Sequence, residues 1–212
     1  MGKIKSHQKL PTEWNEREIL RDKGQFWTPS WIADAMVSYV AENTDLVFDP
    51  ATGRGAFYEA LLKLNKPKVS FFGTDIDNEV LEDEIYNHKN CFVEERDFIK
   101  NPPQRKFKAI VANPPYIRHH RIDEETKILL KHLSTSITGD TIDGRSGYHI
   151  YFLIQALNLL EQNGKLAFIM PADTCEGKFA KNLWKWISGK FCVEGVITFD
   201  ERATPFPNVD TN

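Results

Sequence analysis

One short stretch of this sequence combines residue types that could do chemistry: an asparagine, two prolines and a tyrosine. Asn113, Pro114, Pro115 and Tyr116 directly follow the apolar run FKAIVAN. Pro114 forces Asn113 into an extended conformation, and neither proline can donate a backbone hydrogen bond. The side-chain oxygen of Asn113 and the backbone carbonyl that follows it form two neighbouring acceptors, which suit an –NH₂ group with two hydrogens.

Tyr116 adds a flat, rigid face on which an aromatic base can stack. The lone pair of an aryl or amide amine is delocalised, so such an amine is a weak nucleophile. Hydrogen bonds from both of its hydrogens favour a tetrahedral nitrogen whose lone pair can attack a methyl group directly. The motif therefore predicts methylation of an amine on a planar group, with Asn113, Pro114, Pro115 and Tyr116 as the catalytic residues.

A second candidate site follows an earlier apolar run, in the sequence FDPATGRGAF. Gly53 and Gly55 allow a tight turn and the close approach of a ligand to the backbone. The full dinucleotide fingerprint and the lysine-containing phosphate loop are both absent, so the ligand need not be a phosphate. The start of the following helix suits a carboxylate such as that of an amino acid, and Asp49 could accept a hydrogen bond from its ammonium group.

Acidic residues also end the next two predicted strands. Asp75 lies about 20 residues beyond the glycines, where an acid typically holds ribose hydroxyls. Asp77 is better explained as a helix cap. Asp97 ends the third strand, and Phe98 beside it could pack on a flat ring. An amino acid, a ribose and an aromatic base together describe S-adenosylmethionine, which we predict as the cofactor.

The elements that must position these residues alternate along the chain. Apolar runs predict strands at 46–50, 69–76, 91–98, 107–113, 165–171 and 193–200, and a 3.6-residue period predicts helices at 30–43, 55–65, 78–89, 148–164 and 178–189. The alternation predicts an α/β fold, with a mostly parallel central sheet and helices on both faces. Ligands of such sheets bind outside the carboxyl ends of the strands, where the predicted strands place the acids and Asn113.

Composition excludes several classes of protein. The 212 residues carry a formal charge of −3, which suits one ordinary globular domain better than a wholly basic nucleic-acid binder. No apolar run is long enough to span a membrane, and the N-terminus lacks the pattern of a secretory signal. The three scattered cysteines predict neither a disulfide framework nor a metal site, and they favour a reducing cytoplasm.

In their order and spacing, DPATGRG, GTDID, RDF and NPPY resemble the amino-group (N6-adenine) DNA methyltransferases of restriction–modification systems. The likeness is closest to the subclass in which the cofactor motifs precede NPPY and a target-recognition domain follows. QFWTPSWIADAMV, NGKLAFIMPA and TPFPNVDTN resemble further motifs of that family. The resemblance implies a Rossmann-like methyltransferase fold, S-adenosylmethionine as cofactor, double-stranded DNA as partner, and a bacterial or archaeal cytoplasm.

The resemblance also implies a role for each matched residue. Phe206 would stack on the flipped target base opposite Tyr116, since a base must leave the duplex to be modified. The basic residues after the motif would contact DNA phosphates; they are Arg118, His119, His120 and Arg121. The residues implied to bind the cofactor are Thr28, Pro29, Asp49, Pro50, Ala51, Gly53, Gly55, Asp75, Ile76, Asp97, Phe98, Asn113 and Pro115.

The predicted organisation is an N-terminal segment, 1–29, and a methyltransferase catalytic domain, 30–212. Because the late motif falls at the end of this sequence, we expect a sheet that lacks its last strand and a target-recognition domain or subunit outside the sequence. Two other functions fit the same residues. One is methylation of a glutamine amide in a protein, or of an RNA base, by an NPPY enzyme. The other is an inactive fragment of a larger restriction enzyme that binds cofactor or DNA.

Overall fold

The computed structural model describes residues 28–140, 142, 146–176 and 180–199 of the 212-residue chain. Its centre is a sheet of five parallel strands in the order β3-β2-β1-β4-β5. The strands are β1 (Leu46–Asp49), β2 (Ser70–Asp75), β3 (Cys91–Glu95), β4 (Phe107–Ala112) and β5 (Leu160–Phe168). The predicted α/β fold with a parallel sheet is confirmed.

Helices cover both faces of this sheet. They are α1 (Ser30–Val40), α2 (Ala56–Lys63), α3 (Asn78–Leu81), α4 (Glu124–Thr138), α5 (Tyr148–Asn158), α6 (Asp173–Glu176) and α7 (Ala180–Lys190), and two 3₁₀ turns span Glu84–Tyr86 and His119–Arg121. On one face, α1 and α2 pack against side chains such as Val47 and Val111. On the other face, α4 and α5 pack against Phe48 and Ile110. Successive strand residues point to opposite faces, so one strand supplies both cores.

A cluster of phenylalanine rings holds the strands that carry the site. Phe48 of β1 stacks on Phe107 of β4 with ring centroids 4.1 Å apart, and on Phe72 of β2 at 5.3 Å. Phe48 and Phe107 are buried, and a buried phenylalanine contributes about 1.5–3 kcal/mol through removal of its surface from water. The stacking thus links β2, β1 and β4 side by side.

The order of the strands reverses direction at β1. From β1 the chain builds outward to β2 and β3 on one side, then returns to place β4 on the other side of β1. Such a reversal leaves a crevice outside the carboxyl ends of the two central strands, where ligands of open α/β sheets bind. Here the crevice lies between the residues that follow β1 and those that follow β4.

Two predicted helices are shorter than expected. The segment predicted as a helix over 78–89 ends at Leu81, and a separate 3₁₀ turn begins after Asp83, whose carboxylate accepts from the N–H of Ile85. The helix predicted to run to Gly164 ends at Asn158. The following residues already belong to β5, which accommodates them in a register shift opposite Phe107 and Ala109.

The prediction of a sixth strand at 193–200 is wrong for the residues described, because 192–199 form neither helix nor strand. Strand formation requires a partner for the backbone groups, and this segment pairs with no described strand. Its side chains are largely exposed, with Ile197 at 85%, although Phe199 contacts Trp31 edge to face at 5.5 Å. Across the described residues, no helix is long and apolar enough to cross a membrane.

Candidate active site

The loop between β1 and α2 is fixed by hydrogen bonds to the neighbouring strand β2. The N–H of Thr52 donates to the carbonyl of Thr74, and the hydroxyl of Thr74 donates back to the carbonyl of Pro50. The N–H of Gly53 donates to Oδ2 of Asp75 at 2.8 Å. Two sequence motifs that lie 22 residues apart at this contact therefore form one structure at the carboxyl ends of β1 and β2.

Both glycines of this loop adopt left-handed backbone conformations, with φ of +50° at Gly53 and +77° at Gly55. At Gly55 space is also limited, since an added Cβ would lie 3.0 Å from Cγ2 of Ile85 and 3.2 Å from the Tyr86 hydroxyl. The predicted turn is thus present, and Gly55 begins α2 as its N-cap.

Tyr86 supports the loop from the protein interior. Its hydroxyl donates to the carbonyl of Gly53 at 2.7 Å and lies 3.1 Å from the hydroxyl of Thr52. Burial raises the pKa of Tyr86, so the hydroxyl keeps the proton that it donates. Sequence reasoning missed this residue, because its contact with the loop spans 33 residues and EIYNHK carries no motif.

Asp49, at the end of β1, is fully buried beneath the loop. Its Oδ1 accepts from the N–H of Ala51, whereas Oδ2 has no hydrogen-bond partner among the described residues. Burial raises the pKa of Asp49 well above its usual range, an effect that the Ala51 hydrogen bond only partly offsets. In this arrangement Asp49 holds the loop, and its unpaired oxygen is suited to a donor or a cation.

Asp75 lies at the end of β2, and each of its carboxylate oxygens accepts a hydrogen bond from a backbone N–H group. Besides Gly53, it accepts from the N–H of Asp77 at 3.0 Å. Burial raises the pKa of Asp75, and the two N–H donors offset this in part. Asp77 caps α3 through the N–H of Glu79, as predicted. Ile76 presents an apolar side chain that is 68% exposed beside these acids.

Asp97 and Phe98 follow β3, and only Asp97 stays at the rim. Oδ1 of Asp97 accepts from the N–H groups of Ile99 and Lys100 and so forms a tight turn. The Phe98 ring is 2% exposed and packs on Phe48 and Phe152 in the core. The predicted contact of Phe98 with the cofactor base stays a prediction, and the ring itself lies in the core.

The asparagine of NPPY has both ends of its amide fixed. Its Nδ2 donates to the hydroxyl oxygen of Thr28 at 3.1 Å, and its Oδ1 accepts from the Tyr116 hydroxyl at 2.8 Å. Burial raises the pKa of Tyr116, so this hydroxyl remains a donor. An amide oxygen can accept two hydrogen bonds, and Tyr116 takes one of these positions.

Just before this motif, the N–H of Ile169 donates a hydrogen bond to the carbonyl of Ala112, the last residue of β4. Asn113, Pro114 and Pro115 lie beyond that pair, at the carboxyl end of β4. Pro29, next to Thr28, is the N-cap of α1, and its carbonyl accepts from Ile32 and Ala33. The Thr-Pro motif therefore brings the start of α1 against the NPPY motif, with Thr28 buried at the contact.

Of the remaining predicted site residues, the structure describes the four predicted to bind DNA but not Phe206. Arg118 and the 3₁₀ turn His119–Arg121 directly follow NPPY, and Arg118, His120 and Arg121 are exposed there. After this turn comes α4, a helix that sequence reasoning did not assign. Phe206, predicted to stack on the target base, lies outside the described residues.

The residues present fit S-adenosylmethionine. Asp49 has a buried oxygen with no hydrogen-bond partner among the described residues. The loop has open space beside Gly53, where an added Cβ would meet nothing within 4 Å. Asp75 offers carboxylate oxygens at the neighbouring strand end. NPPY lies across the crevice, at the end of the adjacent strand β4. The fold and this site define the class of the protein as a Rossmann-like methyltransferase that uses S-adenosylmethionine.

Comparison with known proteins narrows the class to a family. The chain belongs to the Eco57I restriction-modification methylase family, whose model matches residues 58–206. It is 27% identical over 192 residues to the type II methyltransferase M.AccI of Acinetobacter calcoaceticus, with 88% of this chain and 35% of the relative covered. It is 28% identical over 179 residues to M.HincII of Haemophilus influenzae, with 84% and 34% covered. The chain thus spans about a third of the length of these relatives.

Two further similarities concern the fold and the choice of acceptor. A Listeria monocytogenes protein assigned as a class I S-adenosylmethionine-dependent methyltransferase superimposes with a TM-score of 0.58 at 18% identity, over 76% of this chain and 51% of that one. The release factor glutamine methyltransferase of Aquifex aeolicus is 27% identical over 161 residues, which cover 72% of this chain and 55% of the relative.

Proposed function

We propose that this chain is the catalytic core of a DNA methyltransferase that transfers a methyl group from S-adenosylmethionine to the N6 amine of a flipped adenine, as part of restriction–modification. The observation that carries the proposal is the doubly fixed amide of Asn113, at the strand end beside the cofactor loop. The family and its type II relatives support DNA as the substrate.

The proposed mechanism uses the residues of NPPY to prepare the amine. Asn113 Oδ1 accepts one amine hydrogen, and the backbone carbonyl after Asn113 accepts the other. Holding both hydrogens turns the nitrogen lone pair away from the ring of the base and makes it nucleophilic. Tyr116 supports the flipped base from one side. When bound, S-adenosylmethionine supplies an electrophilic methyl group on a sulfonium.

The test is transfer of labelled methyl groups from S-adenosylmethionine to unmethylated genomic DNA, followed by nucleoside mass analysis. We expect N6-methyladenine. Label on cytosine would keep the amine chemistry but change the base. Asn113→Ala should reduce transfer by 100-fold or more, roughly the loss of one well-placed transition-state contact. Asn101→Ala, which changes an exposed asparagine in the turn after β3, is the matched control and should leave transfer unchanged.

Methylation of a glutamine amide is the second candidate, because the Aquifex aeolicus relative is a release factor glutamine methyltransferase. A carboxamide carries the same –NH₂ group as adenine, so the geometry of Asn113 serves both. Total protein and total RNA are therefore offered as parallel acceptors in the same experiment. Label in protein or RNA, with none in DNA, would replace the DNA proposal. Cofactor binding without transfer to any acceptor would favour an inactive binding fragment.

A further inference from the structure

A buried histidine lies directly behind the tyrosine of NPPY. His149, the second residue of α5, is 7% exposed, and its ring centroid lies 5.7 Å from that of Tyr116 at an interplanar angle of 53°. The mechanism proposed above does not use it. Burial lowers the pKa of His149 to about 4, so the imidazole is neutral near pH 7. An uncharged ring in contact with Tyr116 suits a supporting role better than proton transfer.

The imidazole has a hydrogen-bond partner at Thr174 and a close backbone neighbour at Gly147. Its Nε2 lies 3.3 Å from the hydroxyl oxygen of Thr174, which is fully buried. The indole N–H of Trp184 donates to the carbonyl of Thr174, so α7 holds Thr174 in turn. An added Cβ at Gly147 would lie 2.7 Å from Cε1 of His149, so only glycine leaves room for the ring.

The backbone of the same region is attached to the NPPY segment, since the N–H of Tyr148 donates to the carbonyl of Ile117 at 3.0 Å. Tyr116 therefore has a fixed neighbour on its ring and a fixed partner, Asn113, at its hydroxyl. The hydroxyl bond alone does not set the ring plane, because the Tyr116 ring can rotate about the axis through its hydroxyl oxygen. A contact on the face or edge of the ring is needed to set the plane.

We propose that His149, held by Thr174, is a positioning residue that sets the plane of the Tyr116 ring and keeps its hydroxyl on Asn113. The inference rests on the proposed function for what Tyr116 and Asn113 do to the target amine. It adds that the platform for the base is oriented from α5 and α6, which carry no part of the NPPY motif. Binding of a planar target base then depends on the side chains of His149 and Thr174, which act on the base through Tyr116.

The decisive variant is Thr174→Val, which keeps the shape of the side chain and removes the hydroxyl. Tyr116 is observed by NMR with ¹³C-labelled tyrosine rings, and Tyr116→Phe identifies its signals. We expect Thr174→Val to shift the Tyr116 ring signals and speed its ring flips, because the change is passed to Tyr116 through His149. Thr174→Ser should restore the parent spectrum. Unchanged Tyr116 signals in a folded Thr174→Val protein would overturn the proposal.

Methyl transfer is the second readout, and it separates positioning from general loss of structure. Thr174→Val should lower kcat about tenfold, because small misplacements at a reacting centre have effects of this size or larger. The dissociation constant for S-adenosylmethionine should stay at the parent value, the Tm should fall by only a few degrees because one buried hydrogen bond is lost, and Thr174→Ser should recover kcat. Equal losses in kcat, cofactor affinity and Tm would mean a purely structural role.

If Thr174→Val fails to fold, His149→Phe is the variant used for the Tyr116 spectra. It keeps a ring against Tyr116 but cannot bond to Thr174, so the Tyr116 signals should shift in the same direction as in Thr174→Val. A Tyr116 spectrum that stays at its parent positions in His149→Phe would also refute the role. If the parent chain transfers no methyl group, the proposed function fails on its own, and the Tyr116 spectra still decide whether His149 positions the ring.

Discussion

The hydroxyl of Thr28 fixes which way the Asn113 amide faces, because it accepts from Nδ2 and leaves Oδ1 towards Tyr116. Thr28→Val should therefore allow the amide to rotate and lower kcat about tenfold, which corresponds to about 1.4 kcal/mol, the size of one hydrogen bond. Thr28→Ser should retain activity. Steady-state kinetics with calorimetry of cofactor binding checks this. Weaker cofactor binding at an unchanged kcat would instead assign Thr28 to the cofactor pocket.

Stability should depend on pH through His149. In the unfolded chain its pKa is about 6.5, whereas burial lowers it to about 4 in the folded protein. Between these values the unfolded chain binds a proton that the folded protein does not. The free energy of unfolding should therefore fall as pH decreases from about 6.5 to about 4, by up to about 3 kcal/mol. Above about pH 6.5 neither state binds this proton, so His149 should not make the free energy of unfolding depend on pH.

Urea unfolding at pH 7 and pH 5 measures this effect. The parent protein should lose more stability between the two values than His149→Phe, which has no proton to bind at this position. His132→Gln changes an exposed histidine on α4 and should behave like the parent. An identical pH dependence in the parent and His149→Phe would show that His149 titrates in the folded protein as it does in the unfolded chain.

Among elements, the loop between β1 and α2 is constrained more at Gly55 than at Gly53. Gly55→Ala adds a Cβ at φ +77° within 3.0 Å of Ile85, whereas Gly53→Ala adds one at φ +50° with nothing within 4 Å. We expect Gly55→Ala to weaken binding of S-adenosylmethionine more than Gly53→Ala does. Both changes carry the roughly 1–2 kcal/mol cost of the left-handed backbone, and only Gly55→Ala adds a close contact with Ile85.

Isothermal titration with the cofactor checks this order, together with thermal unfolding. Gly189→Ala is the control, because Gly189 lies within α7 with nothing within 4 Å of its added Cβ. That change should leave cofactor affinity unchanged and stabilise the fold by about 0.5–1 kcal/mol. Similar cofactor affinities for Gly55→Ala and the parent would mean that the loop is not the cofactor site.

The sequence predicted elements well where one local pattern decides them. The strand ends that carry Asp75 and Asn113 follow from apolar runs bounded by motifs, and they lie where predicted. The prediction of one helix over 78–89 was wrong because the Asp83 side chain caps a separate turn, and the spacing of apolar residues does not reveal such a cap. The contacts of Thr28 with Asn113, across 85 residues, and of Tyr86 with Gly53 depend on the tertiary fold, so no local pattern could reveal them.

For the whole molecule, charge at the two ends of the sheet gives a further test. Arg118 follows NPPY at the carboxyl end of the strands and is exposed, whereas Lys106 directly precedes β4 at the opposite end. If DNA lies across the NPPY end, Arg118→Ala should weaken DNA binding for all sequences alike and reduce the salt dependence of binding by about one ion.

Fluorescence anisotropy with labelled duplex DNA, measured over a range of salt concentrations, gives this slope. Lys106→Ala removes the same charge at the far end and should leave the slope at the parent value. Equal effects of Arg118→Ala and Lys106→Ala would mean that DNA is attracted by overall charge and does not contact the NPPY end specifically.

The strand order has a consequence for how the protein is synthesised. The strands β1, β2 and β3 lie within residues 46–95, and β2 pairs with both of the others. The part of the sheet next to the loop between β1 and α2 is therefore complete in sequence before β4 begins. Because the N-terminal part of a chain is synthesised first, these three strands are available for pairing before β4 is. The strand β4, which leads into Asn113, then pairs with the edge at β1, so Asn113 reaches its position after the loop between β1 and α2.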